Sequence, residues 1–90
     1  MKYRLDYTEK TKKDIDFFKK SGNLNLIKKI FNLLNEISEH PYTGIGKPEP
    51  LKYQLSGYWS RRINKEHRII YEFLENENIV VIHSLKGHYN

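Results

Sequence analysis

The chain has 90 residues, sixteen Lys and Arg against eleven Asp and Glu, a formal charge of +5 and no cysteine. This length suits one domain with a single modest core, so residues 1–90 are expected to fold as one unit. Lack of cysteine excludes disulfides, thiolate nucleophiles and thiolate zinc sites together, and it fits a reducing cytoplasm. No apolar run after Met1 is long enough for a signal peptide or a membrane span, so a soluble cytoplasmic protein with no membrane partner is expected. Excess positive charge favours polyanions and makes nucleic acid the default partner, although a basic surface is often merely solvated.

Tyr3, Leu5 and Tyr7 alternate with Lys2, Arg4 and Asp6, which predicts a first strand over residues 2–7 with one buried face. Thr8 or Thr11 can cap a helix in which Thr11, Ile15 and Phe18 form one stripe, ended by Ser21 and Gly22. Asn23 can cap a second helix. There Leu26, Ile27, Ile30, Phe31, Leu34 and Ile37 follow the spacing of a broad buried face, and His40 and Pro41 stop it. Two Gly and two Pro within 42–50 predict an ordered but irregular loop that could present a functional group. Residues 51–55, 58–63, 67–74 and 79–85 read as four strands whose short connections force antiparallel neighbours. Helices followed by strands predict an α+β fold: two helices packed on one face of a mostly antiparallel, roughly five-stranded twisted sheet. The other face is left for solvent or a ligand.

A three-residue connection at 64–66 would place Ile63 across from His67 and Arg62 across from Arg68, and a two-residue connection would put Arg61 across from Arg68 instead. Like charges directly opposite destabilise a strand pair, so something anionic is expected over them. Alternatively, the arginines pair with Glu49, Glu66 and Glu72 as ordinary surface ion pairs, which are worth little. The histidines at 40, 67, 83 and 88 show no metal-ligand spacing, no Gly-rich loop opens a helix and no serine sits in a nucleophile elbow. No metal and no cofactor are therefore expected. His83 alternates with Val81 and reads as a half-buried strand residue, while His88 and Tyr89 taken alone would pass for a frayed tail.

The run GKPEPLKYQLSGYWSRRINKEHRIIY from Gly46 to Tyr71, followed by His88 and Tyr89, closely resembles the YoeB (Txe) branch of the RelE toxin superfamily. Its Lys-Pro-Glu-Pro-Leu-Lys and Ser-Gly-x-Trp-Ser-Arg-Arg-Ile runs are far more specific than a bare basic patch. The resemblance implies a RelE-like toxin domain and the toxin of a type II toxin-antitoxin pair. It further implies a ribosome-dependent endoribonuclease that cuts messenger RNA in the A site of the 70S ribosome. A Phd/YefM-type antitoxin is the implied inhibitor, and a homodimer is compatible. By the same resemblance the general base falls on Glu49, the phosphate-stabilising arginine on Arg68, and the catalytic histidine and tyrosine on His88 and Tyr89. Lys52, Arg62 and Glu66 match positions that contact or orient RNA. The departures lie in the tail: Lys86 and Gly87 stand where many relatives carry an Arg-aromatic pair, which predicts a looser approach to His88, and Asn90 adds one residue.

RNA supplies its own nucleophile, the 2'-hydroxyl, so cleavage needs a base for that proton, a donor for the leaving 5'-oxygen and cations for the developing charge, but no metal. A carboxylate is a weak base at neutral pH, and imidazole is the better matched proton carrier. The ribosome could add the missing orientation by bending the messenger into line. Lys10, Lys12, Lys13, Lys19 and Lys20 would then grip ribosomal RNA, or form a merely solvated helix face. Two further readings stay open: a ribosome-binding inhibitor that does not cut, and a gyrase-targeting sibling of the superfamily.

Overall fold

The computed structural model describes residues 2–87. Strand β1 (Arg4–Tyr7) leads into helices α1 (Glu9–Ser21) and α2 (Leu24–Glu39), and β2 (Glu49–Pro50), β3 (Trp59–Arg62), β4 (Arg68–Leu74) and β5 (Ile79–Ser84) follow. The strands form one five-stranded sheet in the order β1-β5-β4-β3-β2. Strands β2 to β5 pair antiparallel, as the short connections predict, and β1 runs parallel to β5 with Leu5 beside Val80. A parallel partner cannot follow through a tight turn, so β1 waits for a strand from far along the chain. Phe18, Ile30, Leu33, Leu34 and Ile37 from the helices meet Ile63, Ile69, Tyr71, Val80 and Ile82 from the sheet side in one core.

Both helices start where the sequence places their caps. Thr8 Oγ1 accepts from the Thr11 N–H at 3.2 Å, and Asn23 Oδ1 accepts from the Leu26 N–H at 3.1 Å, each satisfying a donor that the helix leaves open. In α2 the buried set is Ile30, Leu33, Leu34, Ile37 and Ser38, a stripe at i, i+3, i+4, i+7 and i+8. That stripe is narrower than predicted and rotated, with Phe31 left 42% exposed.

Residues 51–55 are not the predicted strand. Edge pairing is limited to Glu49 opposite Ser60 and Pro50 opposite Trp59, after which the chain turns through a 3-10 segment at Tyr53–Leu55. Leu51 N–H donates to the Tyr58 carbonyl at 2.8 Å and Leu55 N–H to the Lys52 carbonyl at 3.1 Å, so these groups are satisfied inside the turn. Tyr53 enters it at φ 58° and lies 86% exposed. Pro50 has no N–H and is tolerated only at a sheet edge, which matches its place in the outermost strand.

Two buried charged side chains fasten irregular chain to this frame. Arg61 is completely buried, and its Nη2 donates to the carbonyls of His40 at 2.8 Å and Thr43 at 3.0 Å and to the Tyr71 hydroxyl at 3.3 Å. Tyr71 in turn donates to the Pro41 carbonyl at 2.6 Å; burial pushes its phenol pKa up, and Arg61 opposes that shift. Gly46 carries the loop past this cluster at φ 88°. A Cβ there would meet Arg61 Cγ at 2.5 Å and Leu33 Cδ2 at 2.9 Å, while the Gly46 carbonyl accepts from Arg62 N–H at 2.6 Å. The loop is thereby laid against β3 just before Glu49. On the other side, Asp14 of α1 is buried, and its Oδ2 accepts from the backbone N–H of Leu85 at 2.9 Å and of Lys86 at 3.0 Å.

Replacing Asp14→Ala strands the buried Leu85 amide, worth about 1–3 kcal/mol when left unpaired in the interior, and removes the part-buried bond from Lys86, worth about 1 kcal/mol. The expected outcome is a fall of about 2–4 kcal/mol in unfolding free energy, read from the urea midpoint. Gly46→Ala is expected to cost at least about 1–3 kcal/mol, because it combines a strained φ with collision against Arg61 and Leu33. An unchanged midpoint in Gly46→Ala would contradict the packing described.

Candidate functional site

The site lies on the sheet face away from the helices, and strand register builds it. Arg62 stands directly opposite Arg68, and Ser60 lies opposite both Ile70 and Glu49. Residues opposite one another point to the same side, so Glu49, Ser60, Arg62 and Arg68 share a face. The predicted Arg62–Arg68 pairing is therefore present, and so is the Ile63–His67 pairing, with Ile63 N–H donating to the His67 carbonyl at 3.0 Å. Arg61, the other member of the arginine doublet, points the opposite way into the core.

Arg68 is the hub. Its Nη1 lies 3.3 Å from Glu49 Oε1 and donates to Ser60 Oγ at 3.1 Å. The pair is open to solvent on the acid side: the Glu49 side chain is 57% exposed and that of Arg68 25%. Arg62 donates from Nε to the Asn64 carbonyl at 3.4 Å and has no carboxylate partner among the described residues. Two guanidinium groups thus face one carboxylate, and the balance is left for an anion. A planar guanidinium suits a phosphate, which it can engage through two parallel hydrogen bonds.

The backbone of Arg68 holds a second connection. Its N–H donates to the Gly87 carbonyl at 2.8 Å, and the Gly87 N–H donates to His67 Nδ1 at 2.9 Å. That second bond requires an unprotonated Nδ1. The His67 ring rests edge-on against Phe18 with centroids 5.0 Å apart. Together with the bonds from Leu85 and Lys86 to Asp14, these contacts fasten residues 85–87 to α1 and to the start of β4. Lys86 and Gly87, from which a looser approach to His88 is predicted, are held through backbone hydrogen bonds to Asp14, His67 and Arg68. His88 and Tyr89 lie outside the described residues.

Lys52 and Glu66 are exposed and do not join the Arg68–Glu49 cluster among the described contacts. Lys52 sits before the 3-10 segment, and Glu66 lies in the β3–β4 turn, its N–H donating to Asn64 Oδ1 at 2.9 Å. Sequence reasoning missed Ser60 and the His67 latch. Alternation with Arg62 along β3 was the available signal for Ser60; for His67, whose partner is twenty residues away, no local signal exists. Glu72 does not pair with an arginine: its Oε1 lies 3.1 Å from His83 Nε2, and the Tyr58 ring stacks on His83 at 4.7 Å. His83 is the half-buried strand residue predicted.

The family profile described as "YoeB-like toxin of bacterial type II toxin-antitoxin system" matches residues 7–89. Toxin YoeB of Synechocystis sp. is 42% identical over 86 residues, covering 96% of this chain and 96% of that protein. Among solved structures, the YoeB/ParE toxin from Agrobacterium tumefaciens superposes with a TM-score of 0.89 at 34% identity, covering 96% of this chain and 99% of that one. The toxin chain in the heterotetrameric YoeB-YefM toxin-antitoxin complex from Staphylococcus aureus gives a TM-score of 0.81 at 38% identity, covering 99% and 100%. With the matched region taking in the Arg68 hub, both helices and the whole β2–β5 meander, the chain belongs to the YoeB-like toxins of bacterial type II toxin-antitoxin systems.

Proposed function

We propose that this chain is a ribosome-dependent endoribonuclease that stops translation by cutting messenger RNA in the A site without a metal. One observation carries the reading: among the described residues, Arg68 touches the acid Glu49 through its side chain and Gly87, the residue before His88, through its backbone. A carboxylate, a cation and the approach to an imidazole thus meet at one residue.

In this reading the scissile phosphate takes Arg68 from Glu49, and the carboxylate so freed accepts the 2'-hydroxyl proton. The 2'-oxygen forms its bond to phosphorus, the bond to the 5'-oxygen breaks, and His88 gives that oxygen its proton, leaving a 2',3'-cyclic phosphate. Arg68 stabilises the charge on the phosphorane oxygens, with Ser60 fixing the guanidinium. Tyr89 packs the reacting phosphate, while Arg62 and the exposed Lys52 and Glu66 hold the strand to either side. Arg68 needs no change of protonation for its part. Glu49 trades a partly solvated ion pair, so its release costs little. A Phd/YefM-type antitoxin covering the same positive face would block both RNA and ribosome.

Arg68→Ala is expected to lower cleavage of ribosome-bound messenger by about 10²–10³-fold, the usual loss when a donor to a developing oxyanion is removed, with the fold intact by circular dichroism. Sequencing of RNA ends from stalled ribosomes is the measurement. Undiminished cleavage would remove Arg68 from the mechanism, and halted translation by the unsubstituted protein without new ends in the A-site codon would make it a blocker instead. His67→Ala releases Gly87 and is expected to lower kcat about tenfold with KM unchanged, an energy of the size of one hydrogen bond. His67→Asn, which keeps an acceptor near the Nδ1 position, is expected to restore most of it. Equal loss in both variants would mean that the ring only fills space against Phe18.

A further inference from the structure

A cavity of about 480 Å³ opens between α2, the loop at 45–47 and the β3–β4 turn, beside the Arg68–Glu49 pair but not including it. Four of its lining residues are cationic, Lys29, Lys47, Arg62 and Lys65, and no carboxylate among the described residues lines it. None of the four is held in an ion pair among the described residues. Its accessible apolar surface is Ile45, 58% exposed, backed by Leu33 and Ile63, which are buried in the core. Two carboxamides, Asn32 and Asn64, complete the lining. Asn64 Oδ1 accepts from the N–H groups of Glu66 and His67 at 2.9 Å each, which fixes the carboxamide and leaves its amide nitrogen as a donor.

Concave, mixed apolar and polar, with unmatched positive charge, the cavity has the size and lining of a site for an anionic small ligand or one unit of a chain. Arg62 decides which chain. It is a lining residue of the cavity and also stands opposite Arg68 in register, so one residue of the chain borders both sites. Residues directly opposite in an antiparallel pair have Cα atoms about 4.5–5.5 Å apart, close enough for neighbouring phosphates of one strand to engage both guanidinium groups. An acidic peptide would satisfy the lysines, but it would leave that continuity without a role.

We propose that this cavity is a nucleotide subsite, holding the base and phosphate of the residue that adjoins the scissile phosphate in single-stranded RNA. This rests on the nuclease reading above and extends it. The base lies against the exposed Ile45 side chain with its edge toward the two asparagines, and the phosphate lies among Lys29, Lys47, Arg62 and Lys65.

The test is binding, separated from cleavage. Fluorescence anisotropy at low salt follows short oligoribonucleotides carrying a 2'-deoxy residue at the scissile step, lengthened one nucleotide at a time. The unsubstituted protein is expected to tighten when the adjoining nucleotide is added. In K29E/K65E, both sites being exposed positions where folding is preserved, that gain is expected to vanish. Affinity is expected to fall about tenfold or more, with the salt slope smaller by about 0.7 for the one phosphate no longer held on a single strand. Arg68→Ala should keep the gain. An abasic adjoining residue should lose it in the unsubstituted protein, and Lys47→Glu serves as a second single-site variant. Unchanged RNA affinity and salt slope in K29E/K65E would overturn the proposal, and weakened binding of a Glu-Leu repeat peptide in the same variant would assign the cavity to an acidic peptide. Normal cleavage without the length-dependent gain removes the subsite alone. RNA binding with that gain but no cleavage on ribosomes removes the nuclease reading and leaves the subsite standing.

Discussion

The alignment of β3 with β4 governs everything functional in this chain. Because side chains alternate at each residue, the register that puts Arg62 opposite Arg68 also sends Arg61 inward and Arg62 outward; a slip by one residue would exchange them. Several features hold that register. Ile63 and Ile69 are fully buried against the helices, so neither strand can rotate without exposing them. Asn64 locks the turn from within by accepting from the amides of Glu66 and His67. Repulsion between the two facing guanidinium groups is tolerated because the register is fixed elsewhere and because Glu49 stands beside one of them.

The same strand supplies scaffold and site from adjacent residues. Arg61 is buried among the carbonyls of residues 40–43 and the Tyr71 hydroxyl, and in that role it shapes the loop that carries Gly46, Lys47 and Glu49 to the sheet edge. Glu49 then reaches Arg68 across Ser60. The position of the acid therefore depends on a buried cation on the other side of the sheet. A loop with two glycines and two prolines would otherwise have no reason to hold one shape, and Gly46 is needed because any side chain there would collide with Arg61.

Much of this was legible in the residues. Capping by Thr8 and Asn23 and the short connections of the meander are local signals that appear where the pattern places them, and the apolar stripe of α2 appears narrower and rotated. An arginine facing Arg68 was legible too, and the three-residue turn selects Arg62 over Arg61. What stayed hidden depends on distant partners. The segment 51–55 alternates like a strand, yet the sheet edge offers pairing only to Glu49 and Pro50, and the 3-10 turn takes the rest. Asp14 looks like one more solvated acid on a basic helix; its burial follows from two amides more than seventy residues away. Periodicity cannot report a contact of that kind. The family resemblance reached Arg68 and Glu49 directly, but it carried no information on Ser60 or on the His67 bond to Gly87.

Burial also sorts the two outcomes available to an arginine here. A buried guanidinium such as Arg61 cannot leave its carbonyls without stranding charge in the interior, at a cost of several kcal/mol, roughly 3–5 when a buried ionic partner is lost. The Arg68–Glu49 pair is half open to water, so its net worth is about 0–1 kcal/mol and an arriving phosphate can replace the carboxylate at little expense. The exchange does two things at once: it neutralises the facing arginines and frees the acid beside the new phosphate. In the proposed reaction the resting ion pair is thus a placeholder for substrate, weak enough to be displaced and well enough aimed to keep base and cation in position until RNA arrives. A stronger, drier pair would make a more stable protein and a poorer site.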